Sequence, residues 1–357
     1  MSTLMAIFYG ESPLYKLELF GSILSAYSMA ADNEIEIVIF TDSDLSDFPL
    51  PITTYSIKNA QQASKQDGET VHHLVKIYCL VEALDKLARP LIYFDTDIFF
   101  NVSPIELFGK ISDVDVLMHA KGQKVSDDPK WNKLCDHIES QLEPNDFELN
   151  RQSVMYNSGI VGLTPKHKSA MERSIELTKN LNEVQSLFTL EQFSIGVMLN
   201  ESSTIHTCEE DVFHYWGWRR EFIHIELQRF RDEYSHCTGI ELVQAYRDNP
   251  IKRGPTIAFV DRLVSRIKSL FNGWDINYRW AYICYLSALR EGNNDPEIAN
   301  TWLKICIPLL IHFEFANEKL VRQSDIKKDF KRLFEPQGGV SQWIDSSFNN
   351  QLIKLAG

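Results

Sequence analysis

The sequence predicts an α/β protein in which a mixed, mostly parallel sheet is flanked by helices. Over the first hundred residues, short apolar runs alternate with segments of helical periodicity in the order β-α-β-β-α-β. After Pro255 the strand signals stop and only helical periodicity remains, which predicts a C-terminal all-helical region. Strands that alternate with helices favour a parallel sheet covered on both faces. We therefore expect one domain over residues 1–250 and a helical region over 251–357.

The first part of the chain carries the clearest element signals. Ser12-Pro13 is a good helix start, because serine caps helices and proline favours the first helical position. The predicted strands before residue 100 are Leu4–Tyr9, Ile35–Phe40, Ile52–Ile57 and the run that begins at Leu91, and the predicted helices are Ser12–Met29 and Glu69–Leu87. Sites in such sheets lie outside the carboxyl ends of the strands, where Tyr9, Gly10 and Asp42 fall.

The middle of the chain is less regular, and the last third is helical. The predicted strands are Asp113–Ala120 and Val154–Leu163, separated by a long loop over Lys121–Arg151 that carries a short helix, and Ile205 begins a run toward His214. The predicted helices are Lys166–Leu181, Glu191–Leu199, Thr256–Phe271, Tyr278–Arg290, Pro296–Phe315 and Ser324–Phe334.

Composition excludes several classes of function. The formal net charge is −13, and no basic stripe offsets it, which argues against nucleic acid as a partner. The six cysteines are scattered without a CxxC pair, which is typical of reduced thiols. The first residues lack a basic segment with a cleavage site, and no apolar run reaches the roughly 18 residues of a membrane span. We expect a cytoplasmic protein, with the inner face of the membrane as an alternative location.

The stretch LIYFDTDIFFNVSP, from Leu91 to Pro104, is the strongest functional signal. Apolar residues surround Asp95-Thr96-Asp97, so these carboxylates need compensating partners. Alternation along a strand would place Asp95 and Asp97 on one face, roughly 7 Å apart. Two carboxylates aimed at one point form a hard-oxygen site of the kind that binds Mg²⁺ or Mn²⁺. The alternative is a chance acidic tripeptide on a surface loop.

Three further segments have both a structural and a functional interpretation. Asn157-Ser158-Gly159 interrupts an apolar strand, which is typical either of a bulge or of close backbone approach to a ligand. Glu191-Gln192 opens a helix, where an acid compensates the helix dipole or presents a carboxylate to a site. The segment HYWGWRR, from His214 to Arg220, combines a histidine that is either packed in the core or a ligand with two arginines suited to diphosphate oxygens.

The DxD segment and the three segments that follow it resemble, in residue types and in order, the motifs of GT-A nucleotide-sugar glycosyltransferases. The resemblance is closest to the family 8 enzymes. That family has a DxD motif, an N-(A/S)-G segment, a D/E-Q pair and a terminal HxxGxxK. This sequence has Asp95-Thr96-Asp97, Asn157-Ser158-Gly159, Glu191-Gln192 and a final motif that runs from His214 through Gly217 to Arg220. The resemblance covers roughly Leu4 to Arg220 and implies a Rossmann-like GT-A fold over residues 1–250.

The resemblance also implies roles for individual residues. Asp95, Asp97 and His214 would bind Mn²⁺ or Mg²⁺, with histidine favouring Mn²⁺. The groups implied to contact the UDP-sugar donor are Tyr9, Gly10, Lys76, Asp95, Asn157, Gly159, Gly217, Arg219 and Arg220, and the implied catalytic residues are Glu191 and Gln192. Arg220 and Glu221-Phe222 stand where the family has lysine and Pro-Trp, so the phosphate contacts differ from the family pattern.

The function implied is transfer of a hexose from a UDP-sugar to a saccharide or a lipid-linked glycan, with retention of configuration, in surface polysaccharide synthesis. Inversion is an alternative, with Glu191 as the base. The sequence is also compatible with a binding scaffold without activity, or with a phosphohydrolase of the haloacid dehalogenase type, whose DxD follows the first strand. A zinc site of Cys208, His214, His236 and Cys237 is also conceivable, although its spacings match no familiar pattern.

One C-terminal helix suggests a membrane contact. One face of the predicted helix Thr256–Phe271 is apolar, and it consists of Ile257, Val260, Leu263, Val264, Ile267 and Phe271. The basic residues Lys252, Arg253, Arg262, Arg266 and Lys268 surround it. A basic amphipathic helix can lie on an anionic membrane, whereas the alternative is that the apolar face packs on the protein itself. Peripheral membrane contact is therefore one hypothesis for this region.

Overall fold

The structure is a computed structural model, which describes residues 2–31, 34–66, 74–140, 151–272, 276–292 and 294–316. The chain divides into two compact units. The first comprises residues up to Trp216 together with Phe230–Ile251, and the second comprises Gly217–Arg229 and the residues from Lys252 onward.

The first unit is built on a seven-stranded sheet with the strand order β3-β2-β1-β4-β7-β6-β8. Its strands are β1 (Ser2–Phe8), β2 (Ile35–Thr41), β3 (Thr53–Ser56), β4 (Leu91–Phe94), β6 (Asp115–Lys124), β7 (Val154–Leu163) and β8 (Thr204–Thr207), while β5 (Ile98–Phe100) and β9 (Val212–His214) form a separate antiparallel pair. Strand β7 is antiparallel to both β4 and β6, and the other neighbours are parallel. The predicted mixed, mostly parallel sheet flanked by helices is therefore confirmed.

Helices of the first unit cover a sheet whose strands are almost continuously apolar. They are α1 (Pro13–Met29), α2 (Lys58–Gln66), α3 (Leu74–Leu87), α4 (Pro104–Phe108), α5 (Asn132–Ser140), α6 (Lys168–Val184), α7 (Leu190–Ser202) and α9 (Gly239–Asp248), and α8 (Arg219–Glu233) crosses the boundary between the units. One buried cluster joins the core-facing residues of β1, β4 and β7 to those of α3, α6 and α7. This two-sided burial is the reason that the strands show little alternation.

Several predicted boundaries are wrong for physical reasons. The predicted loop over Lys121–Arg151 begins as strand, because β6 continues to Lys124 beside β7, and α5 follows two single-turn 3₁₀ helices. Helices α2, α4, α8 and α9 were not predicted, since their apolar spacing is short or mixed with charge. The first five residues of the predicted helix Glu69–Leu87 and all of Ser324–Phe334 lie outside the described residues.

The DxD segment also differs from its predicted conformation. Asp95-Thr96-Asp97 does not continue a strand but links β4, which belongs to the main sheet, to β5, which pairs with β9. The expected separation of two carboxylates along one strand is therefore wrong. Instead the chain leaves the main sheet at Asp95, and the β5–β9 pairing places Ile98 opposite His214. This change of sheet is what brings His214 to the DxD segment.

The regular elements in the described residues of the second unit are all helices. Its main helices are α10 (Phe259–Asn272), α11 (Ile276–Glu291) and α12 (Pro296–Ala316). Trp302 and Phe222 lie in its apolar core, with their ring centroids 4.8 Å apart. Arg229 forms two hydrogen bonds to Asp295, at 2.7 and 2.9 Å. Packing of aromatic rings and a bidentate ion pair thus hold this unit together.

Two further observations bear on the sequence predictions. All six cysteines are free thiols, and five of them are buried. Burial raises the pKa of Cys208 to about 12, so this thiol stays protonated at neutral pH. Across the described residues, none of the helices combines the length and the apolar character that a membrane span requires.

Candidate active site

The site lies at the carboxyl ends of β1 and β4, where the strand order reverses. Strands β2 and β3 lie on one side of β1 and β4 lies on the other, and a crevice at such a reversal is the usual ligand position in α/β sheets. A cavity of about 640 Å³ opens there. Its lining consists of Ile7, Tyr9, Lys76, Tyr93, Asp95, Lys130, Asn157, Ser158, Phe188, Thr189, Glu191, Gln192, His214 and Trp216.

Three side chains form a compact group of potential metal ligands beside this cavity. Asp95, Asp97 and His214 each offer one ligand atom, and these atoms all lie within 4.8 Å of one another. His214 Nε2 lies 3.0 Å from Asp97 Oδ1, and both side chains are largely buried. Two carboxylates and an imidazole suit a divalent transition metal. The structure thus brings the three predicted ligands together, and metal binding by them stays a prediction.

No second group of this kind occurs in the part of the chain that the structure describes. The alternative zinc site required Cys208, His236 and Cys237 to join His214, and these residues do not form such a cluster. Cys208 is instead buried, and its thiol donates a hydrogen bond to the Met118 carbonyl at 3.5 Å. The zinc interpretation is therefore wrong.

Helix α1 holds the DxD turn through buried polar side chains. Glu18 is fully buried and accepts a hydrogen bond from the Thr96 hydroxyl at 3.3 Å. The Ser22 hydroxyl donates to the Ile98 carbonyl at 2.8 Å, and Ser25 Oγ accepts from the Phe100 amide at 3.1 Å. Irregular backbone inside a protein needs such partners. These contacts fix the turn. The sequence analysis missed them, because Glu18, Ser22 and Ser25 carry no local signal that they face the DxD segment.

Strand β7 closes the other side of the ligand group. The Asp95 amide donates to the Gly159 carbonyl at 2.8 Å, so Asn157-Ser158-Gly159 lies directly against the DxD turn. A Cβ atom on Gly159 would lie 2.7 Å from Cε1 and 2.8 Å from Nδ1 of His214. Only glycine leaves room for the imidazole in this position. Gly159 thus permits a close approach to the backbone, but the group that approaches is the His214 ring of the protein itself and not a ligand.

Buried His119 packs against His214. The two rings meet edge to face with their centroids 5.0 Å apart. The β6–β7 register shifts between Met118 and Ala120, which places His119 at an irregularity beside Asn157. Burial and, secondly, the neighbouring His214 lower the pKa of His119, so its ring is neutral at neutral pH. The sequence analysis missed His119, whose signal was a single polar residue near the end of an apolar strand.

Lys76 contributes a cation to the cavity wall. Its ammonium lies 3.2 Å from Asp95 Oδ1 and 3.9 Å from Glu191 Oε1, and it donates to the carbonyl and hydroxyl oxygens of Ser158 at 2.8 and 2.9 Å. It also lies 4.6 Å from the centre of the Tyr93 ring. One cation therefore compensates two carboxylates from separate parts of the chain, one in the turn after β4 and one on α7.

The carboxylate of Glu191 faces the same cavity and is held in place. Ser158 Oγ donates to Glu191 Oε1 at 3.4 Å, and only 8% of the residue is exposed. The Tyr93 hydroxyl donates to Asp95, and burial, followed by the charge of Asp95, raises the pKa of this phenol well above its usual value. Tyr93 therefore remains protonated, and a hydrogen-bond donor, at neutral pH.

Replacement of Lys76 by methionine is expected to destabilise the protein by about 3 kcal/mol, because two largely buried carboxylates lose their shared cation. Adding Glu191→Gln should recover part of this loss. Urea unfolding of both variants measures the effect. Lys86→Met is the control, since Lys86 forms an i,i+4 pair with Glu82 that is worth about 0.5 kcal/mol or less. Equal losses in the Lys76 and Lys86 variants would contradict a central role for Lys76.

The remaining predicted residues fall into three groups. Tyr9, Asn157 and Gln192 line the cavity, whereas Gly10 lines a second cavity of about 610 Å³ together with Asp42. The Gly10 amide donates to Asp42 Oδ1 at 3.2 Å, and Gly10 has a φ of +83°, which favours glycine. Burial acts to raise the pKa of Asp42, but hydrogen bonds from Gln61 and from the Gly10 amide hold this pKa below its usual value.

Gly217, Arg219 and Arg220 belong to the second unit. Gly217 has a φ of +78° and precedes α8, which starts at Arg219. The guanidinium of Arg219 lies 5.2 Å from the centre of the Trp218 ring. The contact of these arginines with a donor diphosphate stays a prediction.

Comparisons with known proteins add fold-level likenesses. No protein family and no curated protein matches the sequence. Mouse xyloside xylosyltransferase 1 aligns at 11% identity over 69% of this chain and 93% of its own, with a TM-score of 0.41. The galactosyltransferase LgtC, in complex with donor and acceptor sugar analogues, aligns at 13% identity over 66% and 96%, with a TM-score of 0.42. At these identities and TM-scores, the likenesses carry no inference about function.

Proposed function

We propose that this protein is a metal-dependent GT-A glycosyltransferase that transfers a hexose from a UDP-sugar to a glycan acceptor with retention of configuration. One observation carries the proposal. Asp95, Asp97 and His214 form a compact ligand group beside a cavity that also contains Lys76, Glu191 and Gln192. Residue types suited to a divalent cation, a diphosphate and a sugar therefore meet in one place.

The chain's own residues suit the parts of a nucleotide-sugar donor. A cation held by Asp95, Asp97 and His214 would supply Lewis-acid stabilisation of the diphosphate leaving group. The ammonium groups of Lys76 and Lys130 line the same cavity and would neutralise further phosphate charge. In an acidic protein of net charge −13, such local cations are needed for an anionic donor to bind.

Glu191 and Gln192 are assigned to the sugar side of the reaction. As the bond between the anomeric carbon and the diphosphate breaks, positive charge develops on the sugar ring. The Glu191 carboxylate, held by Ser158 and Lys76, would stabilise that charge. Asn157 and Gln192 would contact sugar hydroxyls, and Tyr9 and Gly10 the nucleoside. Gly217, Arg219 and Arg220 are assigned to the diphosphate from the motif resemblance alone.

Product formation tests the proposal. The full chain is incubated with a panel of UDP-hexoses, Mn²⁺ and mono- and oligosaccharide acceptors, and released UDP is measured. We expect UDP release that requires the cation and rises when a suitable acceptor is added. If none of the donors releases UDP, either by transfer to an acceptor or by slow hydrolysis without acceptor, the proposal is contradicted.

Aromatic side chains suggest where the acceptor binds. Phe188 and Trp216 line the cavity yet are 80% and 66% exposed. The faces of aromatic rings carry partial negative charge and attract the polarised C–H groups of a sugar. An exposed aromatic surface beside the donor cavity therefore favours a saccharide acceptor.

Replacement of Trp216 by alanine is expected to raise the KM for the acceptor about 3- to 10-fold, because one stacking surface is lost. The affinity for UDP should not change. Phe259→Ala is the matched control, since Phe259 is 77% exposed on α10, outside the residues that line the cavity. Initial rates with varied acceptor distinguish the two variants. An unchanged KM in Trp216→Ala would place the acceptor elsewhere.

A further inference from the structure

Helix α10 exposes a continuous apolar surface. Phe259, Val260, Leu263, Ile267 and Leu270, here called the α10 stripe, are all exposed, Phe259 and Leu270 to 77% and 80%. At about 100° per residue they fall within an arc of about 100° on the helix. Isolated exposed apolar residues are ordinary, whereas five on one face mark an interaction surface.

The opposite face of α10 is fixed within the second unit. Asp261 is 3% exposed and pairs with Arg290, and Ser265 is fully buried. Lys268 donates to the Tyr282 hydroxyl at 2.7 Å. Ile257 and Val264, which the sequence analysis placed on the same apolar face, are buried and half-buried, whereas the side chain of Phe271 lies outside the described residues. The stripe is thus the outward face of a docked helix.

The exposed charged side chains on α10 itself are all positive. Arg262 and Arg266 are exposed beside it, and Lys268 is exposed farther round the helix. The sole acid in the α10 sequence is Asp261, which is buried and paired with Arg290. Lys252 and Arg253, shortly before the helix, are exposed as well. A locally basic surface in a protein of net charge −13 requires a specific explanation.

We propose that the α10 stripe docks on the surface of an anionic lipid bilayer. The apolar side chains would enter the boundary between headgroups and acyl chains, and the flanking basic groups would contact anionic headgroups. Charge complementarity favours lipid over a second copy of the chain, because a symmetric dimer through this face would bring the arginines of both copies together. The inference does not depend on the proposed function, since it concerns binding alone.

Vesicle flotation at low ionic strength tests the inference with the full chain. We expect the protein to float with vesicles of phosphatidylglycerol and phosphatidylcholine, and to remain unbound with phosphatidylcholine alone. Added salt should weaken the binding, because it screens the charges. Failure to float with anionic vesicles at low ionic strength would overturn the inference.

Two variants separate the apolar and the basic contributions. Leu263→Ser with Ile267→Ser, and Arg262→Glu with Arg266→Glu, should each lower partitioning more than about tenfold. All four side chains are exposed, so the fold should persist, which circular dichroism verifies.

Matched controls carry the same changes elsewhere. Val114 and Ile240 are exposed by 64% and 65%, so their double replacement by serine removes comparable apolar character outside α10. Lys166→Glu with Arg231→Glu reverses two exposed charges in the first unit. If the α10 variants bind vesicles as the unaltered protein does, the inference is overturned. It is also overturned if the control variants lose as much binding as the α10 variants. A concentration-dependent dimer in sedimentation that the Leu263 and Ile267 changes abolish would assign the stripe to a second copy instead.

Discussion

Asparagine in place of Asp97 is expected to lower the affinity for Mn²⁺ by more than about 100-fold and to abolish cation-dependent UDP release. The carboxylate is one of three donor groups within 4.8 Å of one another, and asparagine keeps its size while removing its charge. The protein should remain folded, since the turn is held through Thr96, Ile98 and Phe100 rather than through the Asp97 carboxylate. Metal titration by electron paramagnetic resonance measures the change.

The chain offers a matched control for this substitution. Asp115 and His206 form another Asp–His pair with the same 3.0 Å separation, but at an exposed position on β6 and β8. Asp115→Asn should leave both Mn²⁺ affinity and UDP release unchanged. If Asp97→Asn binds Mn²⁺ as the unaltered protein does, the assignment of the ligand group is wrong.

Alanine at position 159 is expected to lower Mn²⁺ affinity by about 10- to 100-fold without unfolding the protein. Its Cβ would lie 2.7 Å from His214 Cε1 and 3.0 Å from Asn157 Oδ1, so the imidazole must leave its present position beside Asp97. A displaced ligand binds more weakly even though its chemistry is unchanged. The same metal titration measures the effect, with thermal unfolding recorded in parallel.

Gly162 on the same strand gives the control for steric strain alone. A Cβ there would clash with Ile111 Cδ1 and would lie 2.9 Å from Leu117 Cβ, inside the core. Gly162→Ala should therefore lower the unfolding temperature while the folded protein keeps its Mn²⁺ affinity. Equal losses of Mn²⁺ affinity in both variants would show that strain in β7, rather than displacement of His214, weakens the site.

The fold class was predictable because local patterns agree with the architecture. The alternation of apolar strands with amphipathic helices predicted the mostly parallel sheet, and Ser12-Pro13 marked the start of α1. Non-local pairing was not predictable in this way. The antiparallel course of β7 and the transfer of β5 to a second sheet depend on contacts between residues distant in sequence.

The candidate site, like the fold, was predictable only in part. Residue types and their order indicated that Asp95, Asp97, Gly159 and His214 are candidate site residues. The structure brings these four together. The sequence analysis did not indicate that Gly159 serves the His214 ring, nor that Lys76 compensates Asp95 and Glu191 at once. Such relations arise from register and burial, for which a single sequence holds no local signal.

Calorimetric titration of UDP into the protein, with and without Mn²⁺, tests the central claim most directly. We expect saturable UDP binding in the presence of Mn²⁺ that is lost on chelation and weakened in Asp97→Asn. Mg²⁺ should support weaker binding than Mn²⁺, because imidazole suits the transition metal better. If no nucleotide, including GDP and CMP, binds under any metal condition, the assignment of this cavity to a nucleotide-sugar donor is wrong.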